Sequence, residues 1–194
     1  ATLIATSVIS PFMVPLKILL TSAFLLALPV VLWQIWGFVA PGLYMHEKKL
    51  VVPLVVSSTL LFFVGVAFCY FFVFGQVFSF IQSFAPKSIT AAPDIEAYLS
   101  FVLTMFIAFG LAFEVPIVVV LLARMGLVSV QKLKDSRGYF IVVAFIIAAI
   151  VTPPDVVSQL ALAVPMCLLY EVGIWAAQIF IKHTQAPEEA DQAA

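Results

Sequence analysis

Residues 38–49, Phe38-Val39-Ala40-Pro41-Gly42-Leu43-Tyr44-Met45-His46-Glu47-Lys48-Lys49, form a polar, turn-bearing island between two long apolar runs. The runs, residues 16–36 and 50–74, are almost free of charge. Each is long enough for an α-helix to cross a bilayer, which takes about 20 residues. The island is therefore a short connection at a membrane face. Pro41 and Gly42 stop the helix before it, since proline disfavours a helical residue at the preceding position and glycine accepts backbone angles that other residues avoid. With 64% hydrophobic and 10% charged residues in a chain of 194, a water-soluble core would leave far too much apolar surface uncovered. The fold class is an all-α polytopic membrane protein, one integral membrane domain over residues 1–194.

Five spans are predicted, at about 16–37, 50–80, 95–125, 139–152 and 156–181. Residues 1–15, interrupted by Ser7, Ser10, Pro11 and Pro15, read as a periplasmic loop. Pro29 falls inside the first span, and Trp33 and Trp36 near its inner end suit the interfacial aromatic belt. Asp94 is placed to cap the third span, with Glu96 in the first turn, where the helix dipole favours an acid. Glu114-Val115-Pro116 interrupts that span, and Gly126 ends it. A short amphipathic helix over residues 130–136 fits the inner loop that follows. The fourth run has only 14 residues, about 21 Å of helix against a hydrocarbon core of about 30 Å. Asp155, after Pro153-Pro154, is suited to cap the fifth span. The polar, acidic tail, residues 183–194, has the composition of a disordered segment.

Orientation follows from the bases. Lys48, Lys49, Arg124, Lys132, Lys134, Arg137 and Lys182 share one side, and Lys17 and Lys87 the other. The positive-inside rule puts the island, the second loop and the C-terminus in the cytoplasm. The N-terminus then lies outside, so an odd number of spans is expected upstream, and no cleavable signal is visible. Cys69 and Cys167 lie within apolar segments and read as small core residues.

Glu114 and Glu171 are the costly side chains. A carboxylate in hydrocarbon faces a cavity, finds a partner or protonates. Glu114 precedes Arg124 by ten residues and Glu171 precedes Lys182 by eleven, which places both about 15–17 Å deep. Either acid could serve a functional cavity or simply bond between helices. Glu47 is solvated, and an acid followed by two lysines also suits an ordinary polar loop. His46 and His183 have no second ligand at metal spacing, and no nucleophile, P-loop or dinucleotide motif occurs, so neither an enzyme nor a cofactor is expected.

The run from Trp36 to Lys49, the run Phe109-Gly110-Leu111-Ala112-Phe113-Glu114-Val115-Pro116, and Thr152-Pro153-Pro154-Asp155 with Gln159 following resemble the TatC family, the receptor subunit of the twin-arginine translocase. The resemblance covers the whole chain and implies six spans, of which this sequence supplies five, without the N-terminal segment and first span. It implies a multi-pass protein of the bacterial cytoplasmic membrane that binds twin-arginine signal peptides of folded proteins through Glu47 and Phe38, with a second acidic patch in the N-terminal segment. Many relatives carry a base where this chain has Met45. It further implies a membrane groove holding Glu114, a docking edge around Thr152 and Gln159 for the single-span partners TatA and TatB, and an oligomeric complex without nucleic acid. The competing expectation is a proton-coupled small-solute transporter that relays protons through Glu114 and Glu171; it calls for paired broken helices, and Pro116 marks the one clear break.

Overall fold

The computed structural model describes residues 3–39, 51–84, 94–152 and 155–191. Its elements are α1 (Ser10–Val39), α2 (Val51–Phe68), a π-helical turn (Cys69–Val73), α3 (Phe74–Phe84), α4 (Ile95–Ala112), α5 (Val115–Arg124), α6 (Val130–Asp135), α7 (Arg137–Val151) and α8 (Val156–Asp191). Four stretches, Ser10–Val39, Val52–Phe80, Ile95–Arg124 and Val156–Ile181, are long and apolar enough to cross a membrane, and Arg137–Val151 is a shorter apolar helix.

Large apolar side chains point outward from every one of these helices. Leu26, Leu60, Leu111, Tyr139, Ile150 and Trp175 are all exposed, an arrangement at equilibrium with lipid and not with water. The interior is correspondingly narrow. Phe62, Phe109, Met105, Val77 and Leu162 fill its centre, while Leu28, Leu32, Trp36 and Val55 close the α1–α2 hairpin.

Helix-on-helix approach depends on three glycines. A Cβ on Gly65 would stand 2.5 Å from the Phe109 carbonyl oxygen, and one on Gly110 would collide with the Phe62 ring. Each helix of the α2–α4 pair thus offers a glycine to the other's phenylalanine. Gly173 does the same for α8, where a Cβ would lie 2.9 Å from the Pro116 Cα. Without a hydrophobic force between helices in lipid, such close van der Waals contact is what holds them.

The π-helical turn has a packing reason too. Gly65, Cys69, Val73 and Val77 are all buried, at three successive spacings of four. In an α-helix that spacing drifts by about 40° each time. A wider turn returns these residues to one side, where Cys69, Val73 and Val77 join the buried cluster that includes Met105 and Phe109 of α4.

Three boundaries differ from the sequence expectation. α1 begins at Ser10, six residues before the predicted start, with Pro11 among the first N–H positions that have no helical partner in any case, so that in this added first part of the helix only Pro15 removes a bond. α3 runs to Phe84, and α8 continues to Asp191 where a disordered tail was expected. Asp94 precedes α4 without a side-chain cap bond. Its Oδ1 instead accepts from the Thr6 amide at 3.4 Å, and Ile95 N–H donates to the Ile4 carbonyl at 3.0 Å, so the N-terminal segment is laid along the start of α4. Gly126, at φ +69°, takes the left-handed turn that ends α5.

The glycine contacts are directly testable. Gly65→Ala should lower stability by about 1–3 kcal/mol, because a backbone carbonyl would have to move. Gly75→Ala, with open space around it, should be neutral or mildly stabilising. Thermal unfolding of both variants in the same detergent provides the comparison.

Candidate functional site

Glu114 lies in the two-residue break between α4 and α5, in ordinary right-handed backbone (φ −75°, ψ −17°). Pro116 has no N–H to return to Ala112, and so the helix cannot run through. The break is nevertheless well bonded. Glu114 N–H donates to the Leu111 carbonyl at 3.1 Å, and the Glu114 carbonyl accepts from Ile117 and Val118 at 3.0 and 3.1 Å.

Its side chain turns inward and is only 7% exposed. Glu114 Oε2 accepts from the Ser58 hydroxyl at 2.7 Å, and Ser58 Oγ in turn accepts from the Trp36 indole N–H at 3.0 Å. Glu114 Oε1 is buried with no hydrogen-bond partner among the described residues. The result is a three-residue node joining α1, α2 and the α4–α5 break. It overturns one expectation: Trp36 is buried and not part of an interfacial belt, whereas Trp33, half exposed, keeps an outward position. Helical side chains lean toward the N-terminus, which on α1 carries the indole away from the island and toward the membrane interior.

Phe38 is two residues further on, 86% exposed. A two-residue step is about 200° around a helix, so Phe38 and Trp36 face opposite ways. Glu47, the partner expected for it, lies outside the described residues.

Glu171 is not the lone acid that its distance from Lys182 suggested. Arg137 grips it with two nitrogens, Nε at 2.6 Å and Nη2 at 2.7 Å from the two carboxylate oxygens. The depth argument failed because α6 turns back along α8: the Tyr170 hydroxyl donates to the Leu133 carbonyl at 2.9 Å, and its ring stacks on Phe140 at 4.1 Å. The polar segment between α5 and α7 thereby folds against α8 beside Glu171. Both members of the pair are more than a third exposed, so its stabilising effect is modest. A carboxylate held in this fork is a poor member of a proton relay with Glu114.

At the start of α8, Asp155 Oδ2 accepts from the Ser158 N–H at 2.7 Å, the bond of an N-cap. Thr152 is buried, and its hydroxyl donates to the Ala148 carbonyl at 2.7 Å. At the expected docking edge, this hydroxyl proton is thus already committed to the carbonyl four residues back. Gln159 donates from Nε2 to the Phe145 carbonyl at 3.2 Å, which uses one of an amide's two N–H groups. Near the N-terminal segment, Lys17 Nζ meets Glu96 Oε1 at 2.9 Å and Ser100 Oγ at 2.9 Å, and Glu96 Oε2 accepts from Ser10.

Sequence reasoning missed Ser58. The available signal was the polar triplet Ser57-Ser58-Thr59 in an apolar helix. Ser57 and Thr59 donate to their own helix, to Leu54 and Val55 carbonyls, and only the middle residue faces the acid. Among the described residues no group of three or more His, Cys, Asp or Glu could hold a metal ion.

Apolar helices turned outward and polar side chains gathered inside define a multi-pass helical membrane protein with a buried carboxylate node. A family model described as "Sec-independent protein translocase protein (TatC)" matches residues 1–165. The Sec-independent protein translocase protein TatC of Halothiobacillus neapolitanus is 52% identical over 94% of this chain and 50% of its own length. That of Escherichia coli K12 is 47% identical over 97% of this chain and 73% of its own. The crystal structure of the twin-arginine translocase receptor TatC in DDM superposes with a TM-score of 0.81 at 41% identity, covering 90% of this chain and 78% of that one. The chain belongs to the TatC family, whose work is protein transport. It spans half the length of the Halothiobacillus relative.

The burial of Glu114 sets an expectation for substitution. Glutamine can still accept from Ser58, so Glu114→Gln should remain within about 1 kcal/mol of the parent. Glu114→Lys places an unpaired cation in the same pocket and should cost about 3 kcal/mol or more. Membrane accumulation and thermal stability of the two variants should therefore diverge; equal behaviour would mean the side chain is not enclosed.

Proposed function

We propose that this chain forms the receptor core of a twin-arginine translocase of the bacterial cytoplasmic membrane, which binds the signal peptides of folded proteins and organises the translocon for their export. The observation that carries the reading is Phe38, an aromatic ring 86% exposed at the end of α1, leading within nine residues to Glu47 in a chain of the TatC family. A guanidinium pairs with a carboxylate through two parallel hydrogen bonds that lysine cannot reproduce. Two adjacent arginines carry more charge than Glu47 alone can match, so a second acid of the full-length protein shares the peptide. The exposed ring offers the apolar contact beside them.

Seven of the nine bases fall at the island, around the second loop and at the tail, which sets these on the cytoplasmic side, where the peptide arrives. TatA and TatB dock along α7 and α8 near Thr152 and Gln159. Because the Thr152 hydroxyl is committed to Ala148, Gln159 is the better donor toward an incoming helix.

In the full-length protein, a photo-crosslinker at position 38 should capture a twin-arginine peptide and not a twin-lysine one. Glu47→Ala should reduce that capture about tenfold or more, the value of a charge-assisted hydrogen bond, without changing membrane accumulation. Undiminished capture would remove Glu47 from the site.

The orientation has its own check. Cysteine at Lys134 should stay protected from an impermeant thiol reagent in intact cells, and cysteine at Lys87 should react. The opposite pattern would invert the receptor.

A further inference from the structure

Trp36 and Glu114 are 78 residues apart, yet one hydroxyl connects them. An indole N–H can only donate, so at the 3.0 Å contact Ser58 Oγ must be the acceptor. Its one proton is then available for Glu114 Oε2, 2.7 Å away. The direction Trp36 to Ser58 to Glu114 follows from donor chemistry alone. Ser58 is fully buried, so solvent does not substitute for either neighbour. Its flanking residues, Ser57 and Thr59, show the alternative that Ser58 has not taken, a hydroxyl returned to its own helix.

We infer that Ser58 is a positioning residue that couples the inner end of α1 to the carboxylate in the α4–α5 break. A shift of α1 that carries Trp36 away leaves a buried Ser58 acceptor unmet and loosens the hold on Glu114, whose Oε1 already lacks a partner among the described residues. The polar island and Phe38 begin where this helix ends. Resting on the receptor reading above, the inference is that peptide occupancy at Phe38 and the setting of Glu114 are one linked equilibrium. Linkage is reciprocal: whatever the peptide does to Glu114, a change at Glu114 does to peptide affinity by the same factor.

Two measurements on the full-length protein in nanodiscs decide the matter. In the first, without peptide, the indole N–H resonance of Trp36 is followed by ¹⁵N labelling of tryptophan. It should move on Glu114→Gln when Ser58 or Ser58→Thr is present and stay still in Ser58→Ala. A resonance indifferent to Glu114, or one that moves equally in Ser58→Ala, would overturn the coupling. In the second, the affinity of a fluorescent twin-arginine peptide is measured for Ser58→Ala, Glu114→Ala and the double variant, alongside their melting temperatures. Each single change should weaken binding about tenfold, as expected for a lost buried hydrogen bond. The double variant should be no weaker than either alone, and Ser58→Thr should bind normally. Additive losses, or unchanged affinity, would refute the linkage. Absence of peptide binding in the parent would instead fail the receptor reading, and the indole measurement would still decide whether Ser58 couples the two residues.

Discussion

Hydrocarbon provides no hydrogen bonds, and every polar group carried into it must find its partner within the protein. That requirement organises this molecule more than any single apolar contact. Ser57, Thr59 and Thr152 satisfy it locally by bonding to carbonyls of their own helices. Tyr170 satisfies it across to Leu133, Glu171 through Arg137, and Glu114 through Ser58 and Trp36. The non-local bonds are the ones that fix which helices are neighbours, because each acts between elements that lipid would otherwise leave indifferent to one another.

Close packing then sets the distances. Gly65 and Gly110 bring α2 and α4 together, and Gly173 brings α8 onto the start of α5. The position of Gly173 against Pro116 also explains why α8 can follow the helix break without a gap: a missing side chain on one helix receives the proline-bearing turn of the other. The acid in that turn is held on the α2 side by Ser58.

Fold class was legible because charge-free runs of bilayer length leave few alternatives, and the family was legible because three unusual local runs stand in order along the chain. The break at Glu114 was legible from Pro116, and the cap at Asp155 from its place after two prolines. Pairings between distant elements were not. Arg137 and Glu171 are 34 residues apart, and nothing in their spacing indicates that α6 doubles back to join them. Lys17 and Glu96 were each given a separate local role, and Trp36 was assigned by the statistics of its residue type, which favour the membrane surface. Depth reckoned along one helix cannot reveal what another helix brings to the same level.

α1 is attached by polar contacts near both its ends, through Lys17 to α4 and through Trp36 to α2. The 19-residue separation of these anchors measures about 28 Å, close to the thickness of the hydrocarbon itself. Pro29, which deprives the helix of one backbone bond, lies between them. A rod pinned at two points can bow but cannot slide. Any force applied at Phe38 is therefore taken up as flexure on the C-terminal side of Lys17, and the N-terminal end of the helix behaves as a fixed abutment.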